Sequence, residues 1–452
     1  MKKGDLENRQ FPRIAATLPI YISPEFLGET VDFSETGFKF ILQKPLLLSK
    51  ARARIELSPN NGIETEFKVI WNKHLVQDGK FTYGACFIRL KEKDIEDLRG
   101  AVIQSQLNAF VNDIGDAEIK RVTEQYFNKD IKKYITEVAR LSQIAPSDSL
   151  DKNTVLNLKK VNDDIVASGE KIILNIVQKN IRKKIKHAFR SLVGPWAYKS
   201  LIMKRGFEKP RGYPGDYKML EIIYDKEPFS TGFGKYFDLY FLNNPYAEAV
   251  RKRKDKTAEL LVNSINKHGA SSINILNLAC GSCREIRDVL SSDKLRYKGV
   301  INFGLVDHDE EALSFTKQAL EIFRKDNIKF SYFQENILKF YDHSQHYEKL
   351  FGKQDLVYSI GLVDYFPDRM LKEMILFCLG LLDKRGKLLL TIKDIDRDPF
   401  APLPPGWYCD WEFVPRNEQD IINLIKSLKV DIAMETILDE SGKIVFIEII
   451  KN

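Results

Sequence analysis

The 452-residue chain has little that would staple or anchor it. Its five cysteines, at 86, 280, 283, 378 and 409, form no disulfide framework, so the compartment expected is a reducing cytoplasm. Cys280-x-x-Cys283 lacks a partner pair, and no metal centre is expected. No signal peptide is expected, and with no apolar run of the ~18 residues a membrane span needs, no transmembrane segment is expected either. One-sided charge is missing too. The 70 basic residues against 63 acidic leave +7, which gives no call for DNA or RNA as a partner. Low-complexity tracts and internal repeats are absent. What is there is an ordinary globular composition, 44% hydrophobic and 11% aromatic, with room for about three domains of ~150 residues.

The most informative stretch is 273–286. Ile273, Ile275, Leu276 and Leu278 form an apolar run of strand length. It ends in small residues, Ala279, Cys280, Gly281 and Ser282, after which Ile286, Val289 and Leu290 share a helical face. Strand, small-residue turn and helix make the first half of a nucleotide-binding βαβ unit. Small residues let a ligand approach the backbone, and the helix start offers it free N–H groups. The next apolar run, 300–306, ends in Asp307 and His308. A carboxylate at that strand tip can accept from both ribose hydroxyls. A third strand over 330–333 is followed by Glu335 and Asn336, in reach of an adenine edge. The fourth and fifth strands are expected over 355–366 and 386–392. Five strands at helical intervals predict a doubly wound α/β sheet. The runs 431–438 and 444–450, joined by DESGK, predict a terminal β-hairpin.

From about 273 onward this pattern resembles the class I S-adenosylmethionine-dependent methyltransferases. The resemblance implies S-adenosylmethionine as cofactor. The residues implied to hold it are Asn277, Ala279, Cys280, Gly281, Ser282, Asp307, His308, Asn336, Ser359 and Gly361. Asn277 stands where the family has an acid, Ala279 and Cys283 where it has glycines. A dehydrogenase would want G-x-G-x-x-G, and this turn has only Gly281. The departures leave open a rival reading, a non-catalytic effector whose methyltransferase-like domain binds a ligand or a partner protein.

The first ~110 residues are short β-type runs, 18–22, 31–42, 51–57, 63–71 and 81–90, broken by Gly, Pro and Asn. They predict a small β-barrel followed by an amphipathic helix over 90–110. Arg9 and Arg13 form R-x-x-x-R before the first strand, and Asp32, Ser34 and Gly37 form D-x-S-x-x-G at a turn. Arginine forks suit phosphate and the O6/N7 edge of guanine. Asp32 and Ser34 suit guanine or ribose, and Gly37 permits close approach. Together the motifs resemble the PilZ domain, which implies cyclic di-GMP as ligand. Asn8 stands where many relatives carry a further arginine.

Between 116 and 256 the pattern is helical. One or two helices run from Ile119 to Val138, and 145–153 is a polar link. A long amphipathic helix carries Ile172, Ile176, Ile181, Ile185 and Phe189. Its basic face, Lys179, Arg182, Lys183, Lys184, Lys186 and Arg190, reads best as solvated surface. Residues 209–220 read as an ordered Gly/Pro loop. The division expected is 1–112 for the barrel, 113–260 for a helical linker and cap, and 261–452 for the methyltransferase sheet. The segments RGYPGDY, AVRKR, LACGSCREI, YSIGLVDYFPD and WEFVPRNEQD resemble a narrower family, methyltransferases that make the methyl ester of 3-hydroxypalmitic acid. That implies a small acid as acceptor. Tyr213, Asp364, Tyr365 and Arg416 would serve the transfer, with Asp216 and Trp411 beside them and Arg416 pairing with the acid. A carboxylate nucleophile needs no base, whereas an amine or hydroxyl wants one. Ordinary alternatives stay open: Trp411 as core, Arg416 as a salt bridge, Asp364 as a helix cap.

Overall fold

A computed structural model describes residues 14–15, 17–34, 37–58, 61–75, 79–88, 90–145, 149–400 and 402–452. The chain divides into two compact units. One is Met1–Lys204 with Ser230–Asp238, the other Arg205–Phe229 with Leu239–Asn452. Among the described residues no helix is long and apolar enough to cross a membrane.

The first unit opens with seven strands: β1 (Ile14–Ala15), β2 (Pro19–Ile22), β3 (Phe26–Ser34), β4 (Gly37–Leu42), β5 (Lys50–Ser58), β6 (Asn61–Leu75) and β7 (Lys80–Phe87). Antiparallel pairing runs β3-β2-β5-β6-β7-β4 and closes through β3–β4, so six strands form a barrel and β1 adds to β3. The pattern of the sequence suggested five runs. The sixth strand comes from the start of β3, where Gly28 masks the strand signal. A side chain at Gly28 would strike the Ile41 backbone oxygen of β4, so the close approach of the two strands requires glycine there. Rings fill the barrel. Phe40 stacks on Tyr83 at 5.1 Å and Phe38 meets Phe67 edge-on at 5.2 Å. The buried Tyr83 hydroxyl accepts the Leu46 N–H at 2.6 Å.

The helix Glu92–Asn108 follows, then Ala117–Gln125 and Lys132–Ile144 joined by a π-helical turn, Tyr126–Ile131. The single long helix expected through 172–189 is two, Lys152–Leu174 and Lys179–Ala197. Asn175 stops the first: its N–H bonds Ile172 O at 3.1 Å and its amide donates to Lys171 O at 2.9 Å. This is local side-chain bonding that competes with helix continuation. Arg190 is buried, so it does not belong to the basic face, and Lys184 pairs with Asp113 at 2.6 Å.

The second unit is built on β8 (Ser272–Leu278), β9 (Val300–Asp307), β10 (Ile328–Gln334), β11 (Gln354–Ser359), β12 (Leu382–Lys393), β13 (Ile432–Leu438) and β14 (Ile444–Lys451). The order is β10-β9-β8-β11-β12-β14-β13. The first five are parallel, and β14 runs antiparallel to both its neighbours. Leu276, Leu278, Val306, Leu388 and Leu390 pack on one face, Ile273, Ile275, Phe303, Leu305 and Leu389 on the other. Burial of both faces is why these strands read as continuous apolar runs. The result is a doubly wound sheet ending in the expected hairpin. Its strand order reverses between β8 and β11, which opens a crevice at the carboxyl ends of the strands. β11 stops at Ser359, earlier than the apolar run suggests, because Gly361 turns the chain at φ +86°. The helix Tyr217–Asp225 begins inside the predicted 209–220 loop, with Asp216 accepting the Met219 N–H as its cap.

Candidate functional site

The turn after β8 is held in a demanding conformation. Ala279, Gly281 and Cys283 take φ of +55°, +54° and +48°, and the left-handed region costs a non-glycine residue roughly 1–2 kcal/mol. Three bonds secure it. The Cys280 N–H reaches Val306 O at 2.9 Å, the Thr316 hydroxyl donates to Gly281 O at 2.6 Å, and the Gly281 N–H donates to Asp307 Oδ2 at 2.9 Å. The other Asp307 oxygen accepts the Asp309 N–H, also at 2.9 Å. His308 Nδ1 also approaches that oxygen, at 3.4 Å, while Oδ2 retains a second lone pair, so Asp307 can still accept from a ligand hydroxyl. A Cβ at Gly281 would meet nothing nearer than Tyr217 Cβ at 4.0 Å, so the space beside the turn is open. The helix Arg284–Ser291 starts there with free N–H groups. Open space, acceptor capacity and free donors together fit an adenosine-bearing ligand.

Around this turn the other predicted residues take defined places. Ser282 is buried. His308 Nδ1 lies 3.4 Å from Asp307, whose carboxylate raises the imidazole above its ordinary value. Hydrogen bonding with Cys283 and burial push the Cys280 thiol well up, and burial pushes up Cys283, so both stay protonated. Asn336 caps the short Ile337–Lys339 turn just past β10. Ser359 donates to Leu278 O at 2.7 Å, tying β11 to the end of β8, and the Gly361 N–H reaches Thr391 Oγ1 at 3.1 Å. Asn277 donates to Glu285 Oε1 at 3.1 Å, and the Tyr358 hydroxyl donates to the same oxygen at 2.8 Å. A carboxylate therefore reaches the end of β8 from the following helix, although the strand itself carries an amide. Sequence reasoning missed Glu285; its position two residues past Cys283, in the first helical turn, was the available signal.

The segment 209–218 runs along this crevice. Arg211 pairs with Asp309 and with Glu311, and Tyr217 and Lys218 also reach Glu311. The Tyr213 ring lies 5.5 Å from the His308 ring. Burial and the Asp307 and Asp309 carboxylates push its phenol up, so it stays protonated. Tyr213 thus stands with the Asp307 group. Two residues on, a side chain at Gly215 would meet Trp411 at 2.9 Å and the Tyr365 hydroxyl at 3.3 Å, so the segment touches both ends of the crevice.

The loop after β11 carries the remaining predicted residues. Asp364 is buried. Its Oδ1 accepts the Lys393 N–H at 3.0 Å, while Oδ2 has no hydrogen-bond partner and lies 3.5 Å from Lys393 Nζ. Burial pushes this carboxyl up to about 6. Lys393 Nζ sits over the rings of Phe413 at 3.4 Å and Tyr246 at 4.2 Å, and burial holds the amine well below the usual lysine range. Both groups line a small cavity with Asp394, Phe413 and Lys443. The Tyr365 hydroxyl accepts Trp411 Nε1 at 2.8 Å. Arg416 donates to Val363 O at 3.2 Å, Phe366 O at 2.5 Å and Asp368 at 2.7 Å. Its guanidinium is thereby engaged in holding the loop. Lys393 escaped the sequence reading, although a lysine closing an apolar strand was there to be noticed.

In the barrel, β1 pairs Ile14 with Phe33 and Ala15 with Asp32. Asp32 is half-buried and faces Lys39 across β4, and Ser34 pairs with Gly37. A Cβ at Gly37 would lie 2.9 Å from Cys86 Cα, so glycine is required by the packing of β4 on β7. Arg9, Arg13 and the Ser34 side chain lie outside the described residues.

Residues 7–104 match the PilZ domain family. The barrel is the PilZ region of this chain. No curated protein matches the chain. Among solved structures it is similar to a possible exported protein from Bordetella parapertussis, at 13% identity and TM-score 0.41, covering 71% of this chain and 95% of that one. It is also similar to magnesium protoporphyrin IX methyltransferase from Synechocystis PCC 6803 with bound SAM, at 15% identity and TM-score 0.31, covering 46% and 84%. A third is the N-methyltransferase NodS from Bradyrhizobium japonicum WM9 with S-adenosyl-L-homocysteine, at 14% identity and TM-score 0.32, covering 52% and 97%.

Proposed function

We propose that this chain is an S-adenosylmethionine-dependent methyltransferase that responds to cyclic di-GMP, with nucleotide reception in 1–112, linkage in 113–260 and transfer in 261–452. The observation that carries the reading is the strained turn after β8, clamped through the Gly281 N–H to an Asp307 carboxylate with acceptor capacity to spare. It lies where the strand order reverses, the usual ligand crevice of such sheets. Bound there, the cofactor supplies an electrophilic methyl group on a sulfonium. Asp307 holds the ribose, Ala279 to Ser282 let the backbone come close, and Asn336 and His308 border the base and ribose. Ser359 and Gly361 carry the loop that faces the methyl group. That loop aligns acceptor and methyl and keeps water out, which is most of what such a transfer asks of a protein. Asp364, Tyr365 and Tyr213 border the acceptor. The acceptor is a small acid with an acyl tail, in keeping with the resemblance to the ester-forming family. Glu285, reaching the end of β8, supports a working site over a non-catalytic effector.

Calorimetry with S-adenosylmethionine tests the core of this reading. Asp307→Ala should weaken binding by the ~1.5–3 kcal/mol of hydrogen bonds to a charged group; unchanged affinity sinks it. Labelled methyl released as methanol by mild alkali identifies an ester product, and alkali-stable label refutes the acid acceptor. For the barrel, Arg9→Ala with Arg13→Ala should abolish cyclic di-GMP binding and leave donor binding intact. A coupling of ~1–3 kcal/mol would shift donor or acceptor affinity ~5- to 150-fold on saturation with cyclic di-GMP. Binding that leaves affinity and turnover unmoved would make the barrel a localisation module.

A further inference from the structure

The second unit contains a buried arginine that lacks the partners its neighbours have. Arg205 pairs with Asp216, Arg211 with Asp309 and Glu311, Arg284 and Arg287 with Glu221, and Arg416 with Asp368. Arg251 donates to the carbonyls of Ile223 and Leu242. Arg253, on the helix Pro245–Lys267 that leads into β8, is only 3% exposed, yet among the described residues no carboxylate stands within salt-bridge distance of it. Its Nε has no hydrogen-bond partner. Its polar surroundings are the Tyr224 hydroxyl, neutral and itself buried, and, beyond ion-pair distance, the Asp364 carboxyl.

The position of this guanidinium is informative. A Cβ at Gly361 would lie 2.8 Å from both Cζ and Nη2 of Arg253. The arginine therefore occupies the space that a side chain at Gly361 would fill, at the head of the loop between β11 and the transfer site. Glycine is required there twice over, by its φ of +86° and by this contact. An arginine buried without an ion-pair partner is costly, and such sites can be completed by an anion from outside. The flat fork of donors suits a carboxylate, which it can hold by two parallel bonds.

We infer that Arg253 is a carboxylate seat in the transfer crevice, completed by a ligand that brings its own carboxylate to Gly361. The inference rests on the methyltransferase reading. That reading offers two sources of the same chemistry, the amino-acid tail of the methyl donor and the acid acceptor. The Arg253 seat makes no use of Asp307 or of the turn after β8, so seat and donor site can fail separately.

Three probes and one variant decide it. S-adenosylhomocysteine carries the amino-acid carboxylate, 5′-methylthioadenosine lacks it, and 3-hydroxypalmitate represents the acid. Each is titrated calorimetrically into the full chain and into Arg253→Met, which keeps the stem and removes the fork. If the seat takes the donor tail, S-adenosylhomocysteine weakens by ~10-fold or more and methylthioadenosine does not change. If it takes the acceptor, both nucleosides hold and 3-hydroxypalmitate weakens by as much. Equal weakening of methylthioadenosine, or no change in any probe, overturns the seat while leaving the donor site standing. Failure of the unaltered chain to bind all three overturns both. Thermal melting guards against a folding artefact. Removing a buried cation with no ion-pair partner should leave the melting temperature unchanged or raised, and a marked fall would make Arg253 a structural brace and overturn the seat.

Discussion

The two ends of the crevice above the second sheet are electrostatically unlike. At the β8–β9 end, charges close on one another: Arg211 with Asp309 and Glu311, Arg284 and Arg287 with Glu221, Arg205 with Asp216. At the β11–β12 end, burial has outrun pairing. Asp364 Oδ2 meets Lys393 Nζ only at 3.5 Å and accepts no hydrogen bond, Lys393 rests on two rings, and among the described residues Arg253 has no carboxylate within ion-pair distance. A closed network can hold a shape without help. Buried charges left short of partners store free energy that a ligand can release, which is why perturbed groups gather at functional sites. The first end has the features of a scaffold for the nucleoside, the second those of the place where chemistry is arranged.

Arg416 is the exception at the second end, and removing it should have the largest effect. It joins two backbone carbonyls of the 363–366 loop to an exposed Asp368. Arg416→Ala takes the Arg416 donor from Phe366 O, at ~1–3 kcal/mol, while Val363 O keeps the Phe366 N–H at 3.2 Å. Urea unfolding should show a loss of about 2–4 kcal/mol, with Arg416→Lys recovering part of it. A loss below ~1 kcal/mol would mean that the loop is held otherwise.

Asp364 comes next. Its carboxyl is pushed up to about 6 by burial, against ~3.9 in an unfolded chain. The folded state therefore binds this proton more tightly. The contribution is complete below pH ~4 and is lost as pH rises through ~6. Two units correspond to roughly 3 kcal/mol between pH 4 and 7. Asp364→Asn should flatten that part of the stability–pH curve, while identical curves would show that Asp364 carries no such proton.

What was legible beforehand follows the same division. The β8 turn could be read because an apolar run, four small residues and a helix are local features, and Asp307 falls at a strand tip fixed by the next run. The start of β3 was hidden by Gly28, whose reason lies in β4. The break at Asn175 was hidden because the apolar spacing of Ile172, Ile176 and Ile181 continues across it. Glu285 and Lys393 were not singled out, and Arg253 stood only as one of several basic residues near the presumed mouth, since an arginine in a basic helix segment or a lysine closing a strand looks solvated until packing buries it. Arg416 was legible as a charged residue near the site, but its carbonyl partners come from a loop fifty positions earlier. Sequence periodicity reports which faces are buried; it does not report which charges the fold leaves unpaired.

The smallest effect belongs to the closed end. Lys218 is half-exposed and donates to a Glu311 oxygen at 3.2 Å. That carboxylate also holds Arg211 and the Tyr217 hydroxyl, so losing one cation leaves it neither buried nor unpartnered. Exposed pairs of this kind gain little from their attraction, because water screens it and two long side chains are immobilised. Lys218→Ala should therefore melt with the unaltered protein at physiological salt, and any separation at low salt should close as salt is added. A clear, salt-independent fall would show that the network around Glu311 works as a unit with Lys218 as a necessary member, and the contrast between the two ends would lose its basis.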